Sequence, residues 1–334
     1  MHRTLTRKAV FELVSDVLSR HGMNDEGTGI LSELLTASHI EGPQSHGLNM
    51  LPRYVEELRT GWSNGVAAPK ISERKSGWLH VDCDNGYCQI GLSRVFPRLK
   101  QVATENGIAL LTVANTHHIG ALRFDTALLA KDGFIAIAFV NSRAWVVPEG
   151  GAKAVFGTNP MSFACPREGA EPIIWDQASS VMSMTDIKLA AQNDEILPHT
   201  AGLNTSGNRT CVAKEIVSAE KLLAFGQHKG SAIALMIELL SAALAGGTLS
   251  CDEEERVSFG AASSKPGYSM IVIHPDNGVS ENFSDQVQKL CQAITVESGG
   301  YIPGDRRFDR IQLSQTQGIT VDTELLAKLR ALLI

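Results

Sequence analysis

Between residues 4 and 20 the apolar positions Val10, Leu13, Val14, Val17 and Leu18 recur at i, i+3, i+4, i+7 and i+8. That is the stripe of an amphipathic helix, and Gly22 closes it. A second stripe from Asp25 turns Ile30, Leu31, Leu34 and Leu35 inward. A third, opened by Ser45, carries Leu51, Tyr54, Val55 and Leu58, with Pro52 placed to kink it and Gly61 to stop it. The N-terminal region is therefore expected to be mainly helical. After Pro69 short apolar runs at 78–82, 108–115, 134–140, 161–165 and 173–176, bounded by Gly, Pro and Asn, predict strands. Helical patterns at 89–105 and 121–131 fall between them, each followed by a glycine stop.

Further on, a helix is expected over 229–244, a strand over 268–274 and a helix over 283–296, before a polar tail. Residues 192–213 are rich in Gly, Asn and Thr and read as a long surface loop. The most apolar stretch, 232–247, contains Glu238 and ends in two glycines, so it is too short and too charged for a bilayer span and reads as a buried core helix. Strand and helix in alternation favour an α/β or α+β middle domain.

Composition narrows the partners. At 334 residues the chain has room for roughly two domains of about 150 each. A formal net charge of −6 disfavours nucleic acid and anionic membrane surfaces. The six cysteines form no C-x-x-C pair, which argues against a structural metal site. Residues 1–5 lead into an amphipathic pattern without the apolar block of a secretory signal, so a reducing, cytoplasmic setting is expected.

The familiar nucleotide signatures are missing: Gly27-Thr28-Gly29 is followed by Ser32 where a third glycine belongs, and no strand is predicted before it. Other short motifs carry chemistry, each with a plain structural alternative. Ser45-His46-Gly47 joins a helix-capping serine to a histidine that stays neutral until a carboxylate supports its proton, or is simply a cap beside a surface histidine. His117-His118-Ile119-Gly120 lies at a strand end, where ligands dock in α/β sheets and loop histidines are also common. The segments 157–160 and 176–180 offer backbone N–H groups and hydroxyls to a phosphate, or are ordinary turns. Asp186 suits a helix N-terminus. Gly226-Gln227-His228-Lys229-Gly230, ahead of a helix, is the best anion site on physical grounds. Pro303-Gly304-Asp305-Arg306-Arg307 adds two guanidinium groups that suit a phosphate or a surface turn.

In order and spacing, these motifs, with Val147-Pro148, resemble the malate/L-lactate dehydrogenase-like NAD(P)H oxidoreductases over nearly the whole chain. The segments around His228-Lys229-Gly230, Phe156-Gly157, Asp186-Ile187 and Gly304-Asp305 look most like the branch that reduces Δ1-piperideine-2-carboxylate and Δ1-pyrroline-2-carboxylate. The resemblance implies an α/β (α+β) fold unrelated to Rossmann, with a helical domain beside a mostly antiparallel sheet domain, in a homodimer. It places the helical domain at 1–70, joined by 305–334, and the NAD(P)H-binding and catalytic domain at 71–304.

The resemblance also implies that Ser45, His46 and Asp186 form a catalytic relay. His118, Ile119, Gly120, Ala121, Leu122, Thr158, Gln177, Ala178, Ser179, His228, Lys229, Gly304, Asp305 and Arg306 would contact NADPH, with NADH as the alternative cofactor. Arg306 and Arg307 favour NADPH as ligands of its 2′-phosphate. The family usually has arginine where this chain has Met50, so Met50, Arg53 and Thr158 are the candidate substrate contacts, with Arg53 replacing the missing guanidinium. The expected reaction reduces a cyclic imino acid. Reduction of an open 2-oxo acid of malate, lactate or ureidoglycolate type, or cofactor binding without turnover, are the alternatives.

Overall fold

The computed structural model describes residues 2–42, 46–252, 265–277 and 282–334. A short strand β1 (His2–Leu5) precedes helices α1 (Arg7–Arg20), α2 (Asp25–Glu41) and α3 (Leu51–Arg59). Thr6 caps α1 by accepting from the Ala9 N–H at 3.1 Å, so the helix expected over 4–20 gives up its first residues to β1. Asn24 caps α2 in the same way through the Gly27 N–H at 2.8 Å. The third helix starts at Leu51, not at Ser45, because a 3₁₀ turn over Leu48–Met50 leads into it. Pro52 therefore sits in the first turn, where its missing N–H has no helical partner, and it does not kink the helix.

Strands and helices then alternate: β2 (Lys70–Lys75), β3 (Trp78–Tyr87), α4 (Cys88–Asn106), β4 (Ile108–His117), α5 (Arg123–Lys131), β5 (Ile135–Val140), β6 (Val146–Val147), β7 (Met161–Cys165), β8 (Ile173–Gln177) and α6 (Met184–Gln192). They are followed by β9 (Gly202–Leu203), β10 (Arg209–Thr210), α7 (Ala213–Ala219), β11 (Leu222–Leu223), α8 (His228–Glu238), β12 (Tyr268–Ile273) and α9 (Phe283–Gln292). The chain closes with α10 (Asp305–Gln317), β13 (Ile319–Asp322) and α11 (Thr323–Ala331).

The main sheet has seven strands in the order β2-β3-β4-β12-β5-β7-β8. Only β3 and β4 run parallel, so the sheet is mostly antiparallel and lacks the doubly wound order of a Rossmann fold. Its core packs Leu79, Val81, Leu111, Val113, Met270 and Val272 against Leu92, Val95 and Leu99 of α4. A second core joins Val10, Val14, Leu31, Leu35 and Tyr54 of the first helices to Ile319, Val321, Leu326 and Leu329. The expected polar tail is thus a structural part of the helical region, and β13 pairs antiparallel with β1.

Two further expectations are corrected. The stretch 192–213 is not a plain surface loop: β9 and β10 belong to a four-stranded sheet of order β10-β9-β11-β6, and Leu197, Ala201 and Leu203 are buried. Nor is 232–247 buried all round. Ala234 and Ile237 face inward, whereas Leu235, Met236, Leu239 and Leu244 stay 48%, 38%, 54% and 39% exposed, and the helix widens into a π turn over Leu239–Ala243. Among the described residues no helix is long and apolar enough to cross a membrane.

Candidate active site

His46 lies between α2 and α3. The chain passes so close to α2 here that a Cβ on Gly47 would stand 2.7 Å from the His39 backbone, so only glycine can follow the histidine. Burial, seconded by the charge of Arg123 and opposed by that of Asp186, pulls the His46 pKa from 6.5 to about 4. The His118 ring lies 5.8 Å away, centroid to centroid. Its Nδ1 shares a 2.8 Å hydrogen bond with the Tyr54 hydroxyl of α3. Burial, Arg53 and His46 together hold His118 well below the ordinary histidine range. His117 faces elsewhere, with Nε2 3.0 Å from Asn85 Oδ1 and its ring edge-on to Trp62. Only the second histidine of the pair thus joins His46.

Arg53 Nε donates to Glu57 Oε1 at 2.8 Å, one turn along α3. The fully buried Glu57 also accepts from the Tyr87 hydroxyl at 3.2 Å. This fixes the base of a guanidinium whose side chain keeps 27% exposure and whose charge reaches both His117 and His118. Met50 packs against the helical core. Asp186 lies in the first turn of α6, where Ser183 Oγ donates to its Oδ2 at 2.7 Å and accepts from its N–H at 3.0 Å. The helix-cap role and the electrostatic approach to His46 therefore coexist. Ser45, expected as the hydroxyl member of the relay, lies outside the described residues.

Sequence reasoning missed Arg123. Its backbone N–H donates to Asp176 Oδ2 at 3.1 Å, while its buried guanidinium donates to Glu41 Oε2 at 3.1 Å and to the Gly42 carbonyl at 2.7 Å. The loop of Ile119, Gly120, Ala121 and Leu122 is thereby tied to the end of β8. Burial raises the Asp176 pKa, and Arg123 partly offsets it. A signal was present: an arginine at a helix N-terminus opposes the dipole and calls for carboxylate partners.

A second group of motifs converges on the start of α8. Ser179 N–H donates to the Thr158 carbonyl at 2.7 Å, Ser179 Oγ donates to the Asn159 carbonyl at 2.7 Å, and Phe225 N–H donates to the Ser179 carbonyl at 3.0 Å. Three separately noted segments thus form one cradle. A Cβ on Gly157 would fall 2.4 Å from the Ser142 carbonyl oxygen, so the turn can close only around glycine. The first turn of α8 holds exposed His228 and Lys229 and no acidic residue, leaving a positive helix end to an anion. Gln177 and Ala178 edge the cradle where β8 ends. Gly304 packs instead against Ile174, near the other end of β8, where the Pro303 carbonyl accepts from the Ile174 N–H at 3.1 Å. Asp305 pairs with Arg167 at 3.2 Å. The two arginines do not form a joint fork: Arg306 stacks over Tyr301 at 4.5 Å, whereas Arg307 approaches Glu41 at 4.0 Å. Among the described residues no group of three His, Cys, Asp or Glu side chains is placed to hold a metal ion.

A helical unit thus lies beside a mostly antiparallel sheet, with a buried imidazole pair and a turn cradle at the start of α8 as the candidate site. Comparison gives the family. Residues 5–330 match the malate/L-lactate dehydrogenase family, and the chain belongs to it. The Δ1-pyrroline-2-carboxylate/Δ1-piperideine-2-carboxylate reductase of Pseudomonas putida is 35% identical over 321 residues, 96% of this chain and 94% of the relative. The crystal structure of Δ1-piperideine-2-carboxylate reductase from Pseudomonas syringae pv. tomato superposes with a TM-score of 0.94 at 33% identity, covering 99% of each chain. Malate dehydrogenase from Pyrococcus horikoshii shares the fold, with a TM-score of 0.86 at 24% identity over 99% of this chain and 94% of its own.

Proposed function

We propose that this protein is a cytoplasmic, NADPH-dependent reductase of cyclic 2-imino acids, converting Δ1-piperideine-2-carboxylate to L-pipecolate and Δ1-pyrroline-2-carboxylate to L-proline. The observation that carries the reading is the buried His46, beside His118 and in the field of Asp186, in a chain about one-third identical along its length to reductases of those imines. When bound, the cofactor supplies a hydride to C2 of the imine. His46 supplies the proton that the imine nitrogen gains, so the C=N bond becomes C–H and N–H. Asp186 and the hydroxyl of Ser45 support the charged imidazole. Arg53, anchored by Glu57, holds the substrate carboxylate in place of the arginine that Met50 replaces. Thr158 and Ser179 form the cradle wall, and Lys229 favours the extra phosphate of NADPH over NADH.

The helical core shared by the first helices and the last segment supports a division into 1–70 with 305–334 and 71–304. The outward stripe of Leu235, Met236, Leu239 and Leu244 supports a homodimer.

The test follows oxidation of NADPH and NADH with the two cyclic imines, pyruvate and oxaloacetate. Turnover of the imines, lost in His46→Gln with NADPH still bound, is the expected result. Turnover of oxo acids alone overturns the reading. Arg53→Ala is expected to raise the KM for the imine more than tenfold while leaving NADPH affinity in place.

A further inference from the structure

Glu238, near the end of α8, is 94% removed from solvent because only 6% of its surface is exposed. Four donors meet its carboxylate. Oε1 accepts from Ser250 N–H at 2.6 Å and Asn141 Nδ2 at 3.2 Å, and Oε2 accepts from Asn159 Nδ2 at 2.8 Å and Ser250 Oγ at 2.8 Å. Asn141 in turn holds the Thr248 carbonyl and the Gly267 N–H. Asn159 adopts a left-handed backbone, φ 36°, and its amide also donates to the Ala234 carbonyl at 2.9 Å. The residue before it is Thr158, whose N–H donates to Ser142 Oγ at 3.1 Å. Ser250 Oγ lies 2.5 Å from the carbonyl of that same Ser142, so its single proton is shared between that carbonyl and Glu238 Oε2.

We infer that Glu238 is a positioning residue for the cofactor: through Asn159 and Ser250 it clamps the Gly157-Thr158-Asn159 turn and Ser142 onto α8, the helix whose first turn carries His228 and Lys229. This inference rests on the reading of Thr158 as a cofactor contact. A strained turn residue persists only where its surroundings over-determine it, and here one carboxylate supplies that constraint to both walls of the cradle. A neutral isostere cannot replace it. The Ser250 N–H is backbone and fixed, so a glutamine must keep its oxygen at the Oε1 position and turn its NH₂ toward Asn159 Nδ2, donor against donor. Glu238→Gln therefore breaks the link to the turn selectively.

The experiment measures NADPH dissociation constants by fluorescence, imine KM, saturating kcat and thermal midpoint for the wild type, Glu238→Gln and Ser142→Ala. Ser142→Ala removes only the outer link to Thr158 and leaves the carboxylate and its donors in place. The expected result is an NADPH Kd raised about tenfold in Glu238→Gln, about 1.4 kcal/mol, and severalfold in Ser142→Ala. Saturating kcat is expected to stay near wild type. A lowered thermal midpoint with unchanged Kd assigns Glu238 to stability alone and overturns the inference. If Glu238→Gln does not fold, Glu238→Asp, which keeps the charge but withdraws the carboxylate from Asn159, takes its place, and an unchanged Kd there overturns the inference. If the wild type binds no NADPH, the functional reading itself fails and takes this inference with it, whereas wild-type binding with unaltered variants defeats this inference only.

Discussion

Asp186→Asn tests the proton economy of the site. The fall of the His46 pKa from 6.5 to about 4 corresponds to about 3 kcal/mol against the imidazolium. On the order of one imidazole in a thousand is then charged at pH 7, and kcat/KM for a reaction that takes its proton from His46 falls about tenfold per pH unit on the alkaline limb. Asp186 is exposed and acts against this by attraction, so screening holds its contribution to about 1 kcal/mol or less. Its removal is expected to lower the His46 pKa by about half a unit and the rate at a given pH on that limb about threefold, with the acid plateau kept. The assay is the pH profile of kcat/KM, paired with NMR of ¹³C-labelled histidine in the cofactor complex, because the imine takes up a proton of its own. A midpoint that stays or rises in the variant while the plateau collapses would refute the reasoning, since Asp186 would then be acting through shape.

Stability should also depend on acid. His46 and His117 are held at about 4 and burial keeps His118 well below the ordinary histidine range, so the unfolded chain binds protons that the folded chain refuses as pH drops below 6.5. Stability is therefore full above 6.5 and lost toward 4; His117→Gln should recover about 2 kcal/mol of the difference between pH 7 and pH 5, read from urea midpoints. Tyr54→Phe leaves His118 Nδ1 without its hydroxyl partner and should lower stability by about 1–3 kcal/mol, with turnover reduced, read from urea midpoints and the imine assay. Gly157→Ala forces a methyl against the Ser142 carbonyl and should lose about 1–3 kcal/mol of stability together with cofactor binding, checked by thermal shift with and without NADPH.

What the sequence made legible follows from the range of the forces involved. Periodicity located α1, α2, α4 and most strands of the main sheet because each buries a regular apolar set of its own. It missed β1, the exposed β2, and the two-residue strands β6, β9, β10 and β11, whose pairing is set by distant partners. It misjudged the polar tail because burial of alternate residues in β13 depends on β1. Motif reasoning singled out His46, His118, Asp186, Thr158, Ser179 and Lys229 as candidates, but what surrounds them in the fold rests on residues without a motif. Arg123 is fixed by Glu41 and Asp176, and Arg53 by Glu57. Such pairings join positions far apart along the chain or lie within one helix turn among many similar charges, and no local pattern marks them.

The pairing of β1 with β13 has a consequence for how the chain is made. Val10, Val14 and Leu31 obtain their final neighbours only when Ile319, Val321 and Leu329 leave the ribosome. At about 5–20 residues per second, the early helices wait on the order of tens of seconds with an open apolar side. A chaperone that shelters nascent chains should therefore engage the first helices of this protein and release them only after β13 and α11 have emerged.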